Sequence, residues 1–267
     1  MILSDFHTHT RFSDGKNTPE EMVLHAISMG LSSIGISDHA SGDNDYSMKK
    51  EGILPYRAEI ARLKEKYEGQ IEILCGIELD ADGIDKAEYY DYAIASVHHM
   101  TVSGKEYCID LSVDETRRML KEGFGGDFDS LAEAYYEKLT EYALCSGANI
   151  VGHFDLLTKF SEVGIPFDSE SPRYRAAWRA ALSALADKLV FEINTGAISR
   201  GYRTAPYPAP PILTELQALG GKVLLSGDAH STSAICAHFD DAQKRLLAHG
   251  FTTAGFADRN GKYHAQI

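Results

Sequence analysis

The chain has 267 residues, of which 44% are hydrophobic and 24% are charged, so it can bury a core and global disorder is excluded. Lys and Arg number 26 against 39 Asp and Glu, which gives a formal net charge of −13. This balance disfavours a general nucleic-acid coat or an anionic membrane surface as a partner, because both attract excess cations. The length suits one large α/β domain, and we predict a single domain over residues 1–267.

The opening residues and the cysteines indicate the compartment. The start, MILSDFHTHT, lacks a basic segment followed by an apolar stretch, and no apolar run approaches the ~18 residues that span a bilayer. The four cysteines stand far apart without a C-x-x-C pair, so we expect neither a disulfide framework nor a zinc knuckle. The sequence therefore predicts a cytoplasmic protein that does not contact the membrane.

Seven strand-like runs alternate with six helical patterns along the chain. Runs such as IEILCGIEL and KLVFEIN are nearly continuous apolar β-formers, which is typical of parallel strands covered on both faces. The predicted strands cover residues 3–9, 32–39, 71–79, 92–98, 149–153, 189–195 and 222–230. The predicted helices cover residues 19–29, 55–67, 130–145, 172–186, 210–219 and 240–249.

This alternation predicts a barrel-like α/β domain, with an open doubly wound sheet as the alternative. The first helix has the clearest start signal, because Thr18 can cap it and Pro19 suits its first turn. Two connections, 40–54 and 101–129, exceed the usual length of a loop. Both are candidate active-site loops or lids.

Seven of the 11 histidines fall at the last residue or two of a predicted strand. In a parallel α/β barrel these strand ends converge on one face, where active sites are built. Histidines placed as ordinary surface residues would not favour one end of each strand, so we predict that these side chains form a cluster. They are His7, His9, His39, His98, His99, His153 and His230.

The spacing of several of these residues favours metal binding. His7 and His9 are two residues apart, so on a strand both imidazoles point to the same face and can reach one ion. Asp228 and His230 repeat this spacing on the last predicted strand. Imidazoles combined with carboxylates suit Zn, Mn, Fe or Co better than Mg or Ca.

Two further carboxylates can join the histidines. Glu78 ends the third predicted strand in CGIELD and could bridge two cations, and Asp14 lies in the turn-like RFSDG that could fold back over the strand ends. Divalent ions held ~3.5–4 Å apart can trap a hydroxide at neutral pH, which indicates metal-assisted hydrolysis. No G-x-S-x-G, H-E-x-x-H, P-loop or G-x-G-x-x-G motif offers a rival chemistry.

Three basic residues follow strand ends in an otherwise acidic chain. Lys159 lies six residues beyond His153 in LLTKF, and Arg200 and Arg203 lie in ISRGYR after the EINT strand. Arginine can bind a phosphate group through two hydrogen bonds, while lysine acts as a point charge. We therefore predict that these three side chains bind the phosphate of a substrate.

The ordered motifs of this chain resemble the polymerase-and-histidinol-phosphatase (PHP) superfamily, and most closely its histidinol-phosphate phosphatases. The resemblance runs from Asp5 to about His230. It implies a distorted, TIM-like (β/α)7 barrel with three divalent metal ions (Zn, Mn or Fe) at the carboxyl ends of the strands. The motifs are FHTHTRFSDG, ISDHA, GIELD, SVHH, GHFD, EINTGAISRGYRTAPYPAP and SGDAHS.

The resemblance also implies which residues bind the ions. Asp14 stands where many family members have histidine, and Lys159 stands where related phosphatases have arginine. SVHH contains two histidines; the motif favours His98, and strand alternation places His99 on the opposite face. The implied ligands are His7, His9 and Asp228 for the first ion, Glu78 as a bridge to the second, His98 and His153 for the second, and Asp14, His39 and His230 for the third.

The implied activity is hydrolysis of L-histidinol phosphate to L-histidinol and phosphate in histidine biosynthesis, through a hydroxide that bridges the first two ions. Asp228, helped by His230, would move the hydroxide proton to the leaving alkoxide. The amine and imidazole of this substrate would favour an acidic loop residue. The candidates are Asp43, Asp45, Glu106 and Asp110.

Other functions remain open at this stage. The same centre could hydrolyse another small phosphate monoester or a nucleotide, because these residues contact the phosphate and not its alcohol. A polymerase-associated exonuclease is disfavoured by the net charge and by the lack of a basic stripe. A regulatory protein that binds metal without turnover is a further alternative.

Overall fold

The computed structural model of the chain describes residues 4–40, 46–81, 83 and 85–266. The strands are β1 Ser4–Asp5, β2 Ser33–Ile36, β3 Glu72–Cys75, β4 Glu78–Asp80, β5 Ile94–Ser96, β6 His99–Val102, β7 Lys105–Cys108, β8 Ile150–Val151, β9 Val190–Asn194, β10 Lys222–Ser226, β11 Gly255–Ala257 and β12 Tyr263–Ala265. The helices are α1 Pro19–Ser28, α2 Ile53–Lys66, α3 Val113–Phe124, α4 Phe128–Cys145, α5 Pro172–Leu185, α6 Gly196–Ser199, α7 Pro210–Ala218 and α8 Phe239–Ala248.

The parallel strands form two sheets that meet at their edges. One sheet has the order β1-β2-β3, and the other has the order β10-β9-β8-β5-β4. A bridge between Thr8 and Ala229 joins the ends of β1 and β10, and a bridge between His39 and Glu78 joins the end of β2 to β4. The strands therefore surround a common centre as a distorted barrel, with their carboxyl ends on one face. This arrangement differs from the open doubly wound alternative.

Helix α1 begins where its local sequence predicts. The Thr18 side chain accepts a hydrogen bond from Glu21 N at 3.2 Å, and the Glu21 carboxylate accepts one from Thr18 N at 2.8 Å. This capping box and Pro19 in the first turn fix the start of the helix. The helices α2, α4, α5, α7 and α8 likewise match predicted helices to within two residues at each end.

The run 71–79 forms two strands rather than the single strand that its apolar character predicts. β3 pairs with β2, whereas β4 pairs with β5. The ring of Tyr92 packs at the break, where a Cβ on Gly76 would lie 2.2 Å from Tyr92 Cζ and one on Gly35 would lie 2.1 Å from Tyr92 Oη. The two glycines therefore make room for this ring, and the chain passes from one sheet to the other beside it.

The two long connections differ from simple loops. In 101–129, β6 and β7 form an antiparallel hairpin that turns at Ser103 and Gly104, both with positive φ, and Ser112 caps α3. In 40–54, a 3-10 turn at Lys50–Gly52 leads into α2. Residues 41–45, which include the candidates Asp43 and Asp45, lie outside the described residues.

A buried apolar cluster fills the lower part of the barrel interior. Ile94 lies two residues before Ser96 and Val190 lies two residues before Glu192, so the apolar cluster lies beneath a layer of polar side chains. No helix in the described part of the chain is long and apolar enough to cross a membrane. That a single domain spans residues 1–267 stays a prediction.

Candidate metal centre

The polar side chains meet at the carboxyl ends of the parallel strands. His7 and His9 flank Thr8, which bridges to Ala229, and the backbone bonds His9 N–Ala229 O and Ala229 N–His7 O measure 2.9 and 3.0 Å. These bonds hold the end of β1 against the end of β10, so His7 and His9 lie beside Asp228. His9 Nε2 is 3.3 Å from Asp228 Oδ1.

Glu78 lies at the centre of the cluster. Its Oε2 atom is 2.8 Å from His39 Nδ1, 3.2 Å from His7 Nε2 and 3.6 Å from His9 Nε2. Its Oε1 atom is 3.1 Å from His153 Nε2 and accepts a hydrogen bond from Ser96 at 2.6 Å. One carboxylate thus contacts imidazoles from several strands.

The cluster divides into three groups of donor atoms close enough to share a metal ion. One contains His7, His9 and Glu78, and another contains His39, Glu78 and His98. The last contains His9, Asp14, His39 and His230. All three groups differ from the predicted sets, because the first lacks Asp228, His39 also joins His98 in the second, and His9 also joins the Asp14 group. His153 stays near the second group, with its Nε2 atom 3.2 Å from His98 Nε2.

The donor atoms fit bound cations. His7 Nε2, His9 Nε2 and Glu78 Oε2 are buried and form no hydrogen bond within the described residues, although they face one another. A buried polar atom left without a partner destabilises a fold by about 1–3 kcal/mol. A metal ion shared by such atoms removes this cost, and imidazole with carboxylate is the donor set of transition metals.

Electrostatics hold two of the donors, His9 and Glu78, in ligand form. Burial, followed by the neighbouring rings of His230 and His39, lowers the pKa of His9 to about 3, so this imidazole is neutral. Burial by itself would raise the pKa of Glu78, but His39 and His7 outweigh it and hold this pKa well below its ordinary range. Neutral imidazole and ionised carboxylate are the states that bind metals. Burial by itself would lower the pKa of His7, but Glu192 and Glu78 outweigh it and raise this pKa, so a bound cation would displace that proton.

Only one residue of the His98–His99 pair enters the cluster. His98 Nε2 lies 3.4 Å from Glu78 Oε1, whereas His99 stacks on the ring of Tyr46 and its Nε2 atom lies 3.8 Å from Glu106. Asp80 holds His98 in place by accepting from His98 N at 2.8 Å and by contacting His98 Nδ1 at 3.0 Å. The structure therefore brings His98 and not His99 to Glu78.

The cluster opens into a cavity of about 220 Å³ that also contains two of the predicted phosphate-binding residues, Lys159 and Arg200. Arg200 Nη2 contacts Asp228 Oδ2 at 2.8 Å, and Lys159 Nζ contacts Asp110 Oδ2 at 3.0 Å. A Cβ on Gly196 would lie 2.7 Å from Asp228 Oδ2, so glycine leaves room for the Arg200–Asp228 pair. Both cations therefore lie on the same cavity as the donor cluster.

Arg203 lies elsewhere, outside the residues that line this cavity. Its guanidinium donates to the Thr158 hydroxyl, lies 3.7 Å from Asp155 and stacks over the ring of Tyr207 at 4.3 Å. The sequence placed Arg203 with Arg200 because both follow β9. The two residues between them, Gly201 and Tyr202, carry the two side chains to different surroundings.

Two functional side chains escaped the sequence analysis. Glu192 accepts from His7 Nδ1 at 2.6 Å and from His153 N at 3.0 Å, and Asp80 holds His98. Both carried a usable signal, since Glu192 is a charge inside the apolar run KLVFEIN and Asp80 lies on the same strand face as Glu78. A carboxylate bonded to the far nitrogen of an imidazole orients that ring and increases its basicity.

Glu192→Gln should weaken metal binding. The amide keeps the shape of the side chain but removes the charge that orients His7, so we expect a 10–100-fold loss of metal affinity or activity. A metal titration followed by activity measures the effect. Glu170→Gln is the control, because the Glu170 side chain is 67% exposed. Equal metal affinity in the two variants would contradict the role of Glu192.

Comparison with known proteins identifies the class. Residues 5–196 match the PHP domain family, and the chain belongs to this family. A protein of Deinococcus radiodurans named "Probable histidinol-phosphatase" is 29% identical over 272 residues, which cover 96% of this chain and 97% of that protein. The histidinol-phosphatase of Bacillus subtilis is 25% identical over 261 residues, which cover 88% of this chain and 96% of that protein.

A solved structure shows the same fold. The histidinol phosphate phosphatase of Lactococcus lactis, crystallised with zinc, L-histidinol and phosphate, matches with a TM-score of 0.70 and 24% identity. The match covers 98% of this chain and 99% of that chain. It confirms the predicted distorted α/β barrel of the PHP fold.

Proposed function

We propose that this protein is a metal-dependent phosphatase that hydrolyses L-histidinol phosphate to L-histidinol and phosphate. The observation that carries this proposal is the Glu78-centred donor cluster, which shares one cavity with the cations Lys159 and Arg200. The alcohol of the substrate is proposed from the relatives, which match this chain over most of its length and are named histidinol-phosphatases. Histidine biosynthesis in the cytoplasm would be the corresponding setting.

Three divalent cations, such as Zn, Mn or Fe, are proposed at the cluster. When bound, such cations acidify a water molecule that attacks phosphorus and neutralise the oxygens of the phosphoryl group. The Lactococcus relative contains zinc together with histidinol and phosphate. The proposed ligands are His7, His9, Glu78 and Asp228 for the first ion, Glu78, His98 and His153 for the second, and Asp14, His39 and His230 for the third.

Lys159 and Arg200 are proposed to hold the phosphoryl group. Both cations line the cavity, and the side chain of Arg200 is 31% exposed, so it can turn part of its guanidinium toward a substrate oxygen. Charge-assisted bonds from arginine are among the stronger hydrogen bonds in proteins. The contacts of Arg203 with Thr158, the residue before Lys159, favour a role in shaping this loop over direct contact with phosphate.

Asp228 is proposed to accept a proton from the attacking water. Its Oδ2 atom is held by Arg200, which leaves Oδ1, 3.3 Å from His9 Nε2 and 3.5 Å from His230 Nδ1, directed at the cluster. Burial by itself would raise the pKa of Asp228, but Arg200 and His7 outweigh it and lower this pKa well below its ordinary range. An ionised Asp228 can take the proton and return it to the leaving alkoxide.

A phosphate-release assay on the purified protein tests this proposal. The substrates are L-histidinol phosphate, p-nitrophenyl phosphate, a sugar phosphate and a nucleoside monophosphate, each with Zn, Mn or Fe added. We expect kcat/KM for histidinol phosphate to exceed the others by orders of magnitude. Comparable rates for all four substrates would indicate a general phosphatase and would reject histidinol phosphate as the specific substrate.

A further inference from the structure

The cavity contains one carboxylate that the metal cluster does not use. The described residues that line it include three aspartates, Asp14, Asp110 and Asp228; Asp14 belongs to a group of donor atoms, and Asp228 contacts the donor His9 at 3.3 Å. Asp110 contacts Lys159 and lies just after the hairpin strand β7. Beyond its pairing with Lys159, an anionic side chain in a cavity that binds phosphate suits a positive charge on the substrate.

Asp110 is held firmly but keeps one oxygen available. Lys159 Nζ donates to the backbone oxygen of Asp110 at 2.8 Å and to its Oδ2 atom at 3.0 Å. The other oxygen, Oδ1, receives the thiol of Cys108 at 3.5 Å, which is a weak hydrogen bond. Within the described residues, Oδ1 can therefore still accept a strong donor from a ligand.

The wall beside Asp110 is apolar. Leu111 and Leu156 line the same cavity, and Leu111 is 66% exposed. The cavity thus combines cations, one further carboxylate and aliphatic carbon. This combination of groups complements a phosphate ester whose alcohol carries an ammonium group and an apolar or aromatic portion.

We infer that Asp110 is a specificity-determining residue that binds the ammonium group of the substrate's alcohol. This inference rests on the proposed phosphatase function and names the part of the cavity that recognises the leaving group. Oδ1 accepts from the substrate ammonium while Oδ2 keeps Lys159 in place for the phosphoryl group. A phosphate ester of a neutral alcohol still benefits from the positioned Lys159, but it has no ammonium group to donate to Oδ1.

The experiment compares two small esters that differ in charge, O-phosphoethanolamine and 2-hydroxyethyl phosphate, alongside L-histidinol phosphate. For the wild type we expect kcat/KM to be about 10–100-fold higher for the ethanolamine ester than for its neutral partner, as expected for one charge-assisted hydrogen bond. In Asp110→Asn the two esters should have about equal kcat/KM, because KM for the ethanolamine ester rises. The rate on 2-hydroxyethyl phosphate should fall by a smaller factor than the rate on the ethanolamine ester, because the neutral ester loses only the support that Asp110 gives to Lys159.

Controls separate this role from a purely structural one. Glu106→Gln, on the same hairpin with its side chain 66% exposed, should leave the preference intact. Circular dichroism checks that Asp110→Asn is folded, and Asp110→Ser serves as a second variant if it is not. An equal loss on both esters would mean that Asp110 acts only through Lys159, and would overturn the inference.

Two further outcomes have distinct meanings. A wild type that does not distinguish the two small esters overturns the inference, even if histidinol phosphate is hydrolysed. A wild type that ignores histidinol phosphate but prefers the ethanolamine ester, with that preference lost in Asp110→Asn, rejects the proposed substrate and supports the role of Asp110.

Discussion

Asp228→Asn is expected to lower kcat by about 10²–10⁴-fold, the usual contribution of a general base. The amide cannot take the proton of the attacking water, and it is a poorer metal ligand than a carboxylate. The backbone should tolerate the change, because Asp228 has φ = 47° and asparagine adopts this left-handed region readily. Steady-state kinetics on histidinol phosphate, with metal content measured in parallel, give the effect.

The control for this variant is Asp240→Asn, in the first turn of α8, where the side chain is exposed. We expect the control to keep full activity. Arg200 loses the charge of its partner in Asp228→Asn but still donates to the backbone oxygen of residue 228 at 3.1 Å, so the loop should stay in place. Hydrolysis at the rate of the wild type would refute the role assigned to Asp228.

Six of the helices were predictable because their ends are encoded locally, whereas α3 and the short α6 were missed. Thr18 with Glu21, and Pro172 or Pro210 in a first turn, act within a few residues and need no tertiary contact. The break in the run 71–79 could not be predicted in this way. It depends on Tyr92, which is distant in sequence and packs against Gly76 only in the folded chain.

The hairpin of β6 and β7 shows a second limit. Its strands are short, and their side chains are mostly exposed or only partly buried, so they lack the apolar run by which the barrel strands are recognised. Ser103-Gly104 is a turn signal that could have indicated it. Because Asp110 follows this hairpin, the segment predicted as a lid does reach the cavity, but as ordered structure.

More of the donor cluster than of the rest of the site could be predicted from the sequence. His7 with His9, and Asp228 with His230, depend on strand alternation and on the convergence of parallel strands, which are general properties of the fold. The distribution of side chains among the three groups depends on rotamers and distances, so His39 beside His98 could not be foreseen. For the same reason, the sequence could not show that Arg200 lines the cavity while Arg203 does not.

Removing the metals should abolish activity and lower the melting temperature. Without cations, His7, His9 and Glu78 keep buried donor atoms that lack hydrogen-bond partners in the described structure. Binding at 100 times Kd stabilises a protein by about 2.7 kcal/mol, and 1 kcal/mol shifts Tm by about 2–4 °C at this size. We therefore expect a loss of about 5–10 °C in calorimetry after dialysis against a chelator.

Adding back one metal at a time then separates the effect of the metal on the melting temperature from its effect on activity. Zn, Mn and Fe should each recover the melting temperature, because all accept imidazole and carboxylate ligands, but they should recover kcat to different extents. The control is the variant His249→Gln, since His249 forms an exposed hydrogen bond with Thr214 and belongs to none of the donor groups. It should show the same shift in Tm as the wild type. A chelated protein with unchanged Tm and activity would contradict both the donor cluster as a metal centre and the hydrolysis built on it.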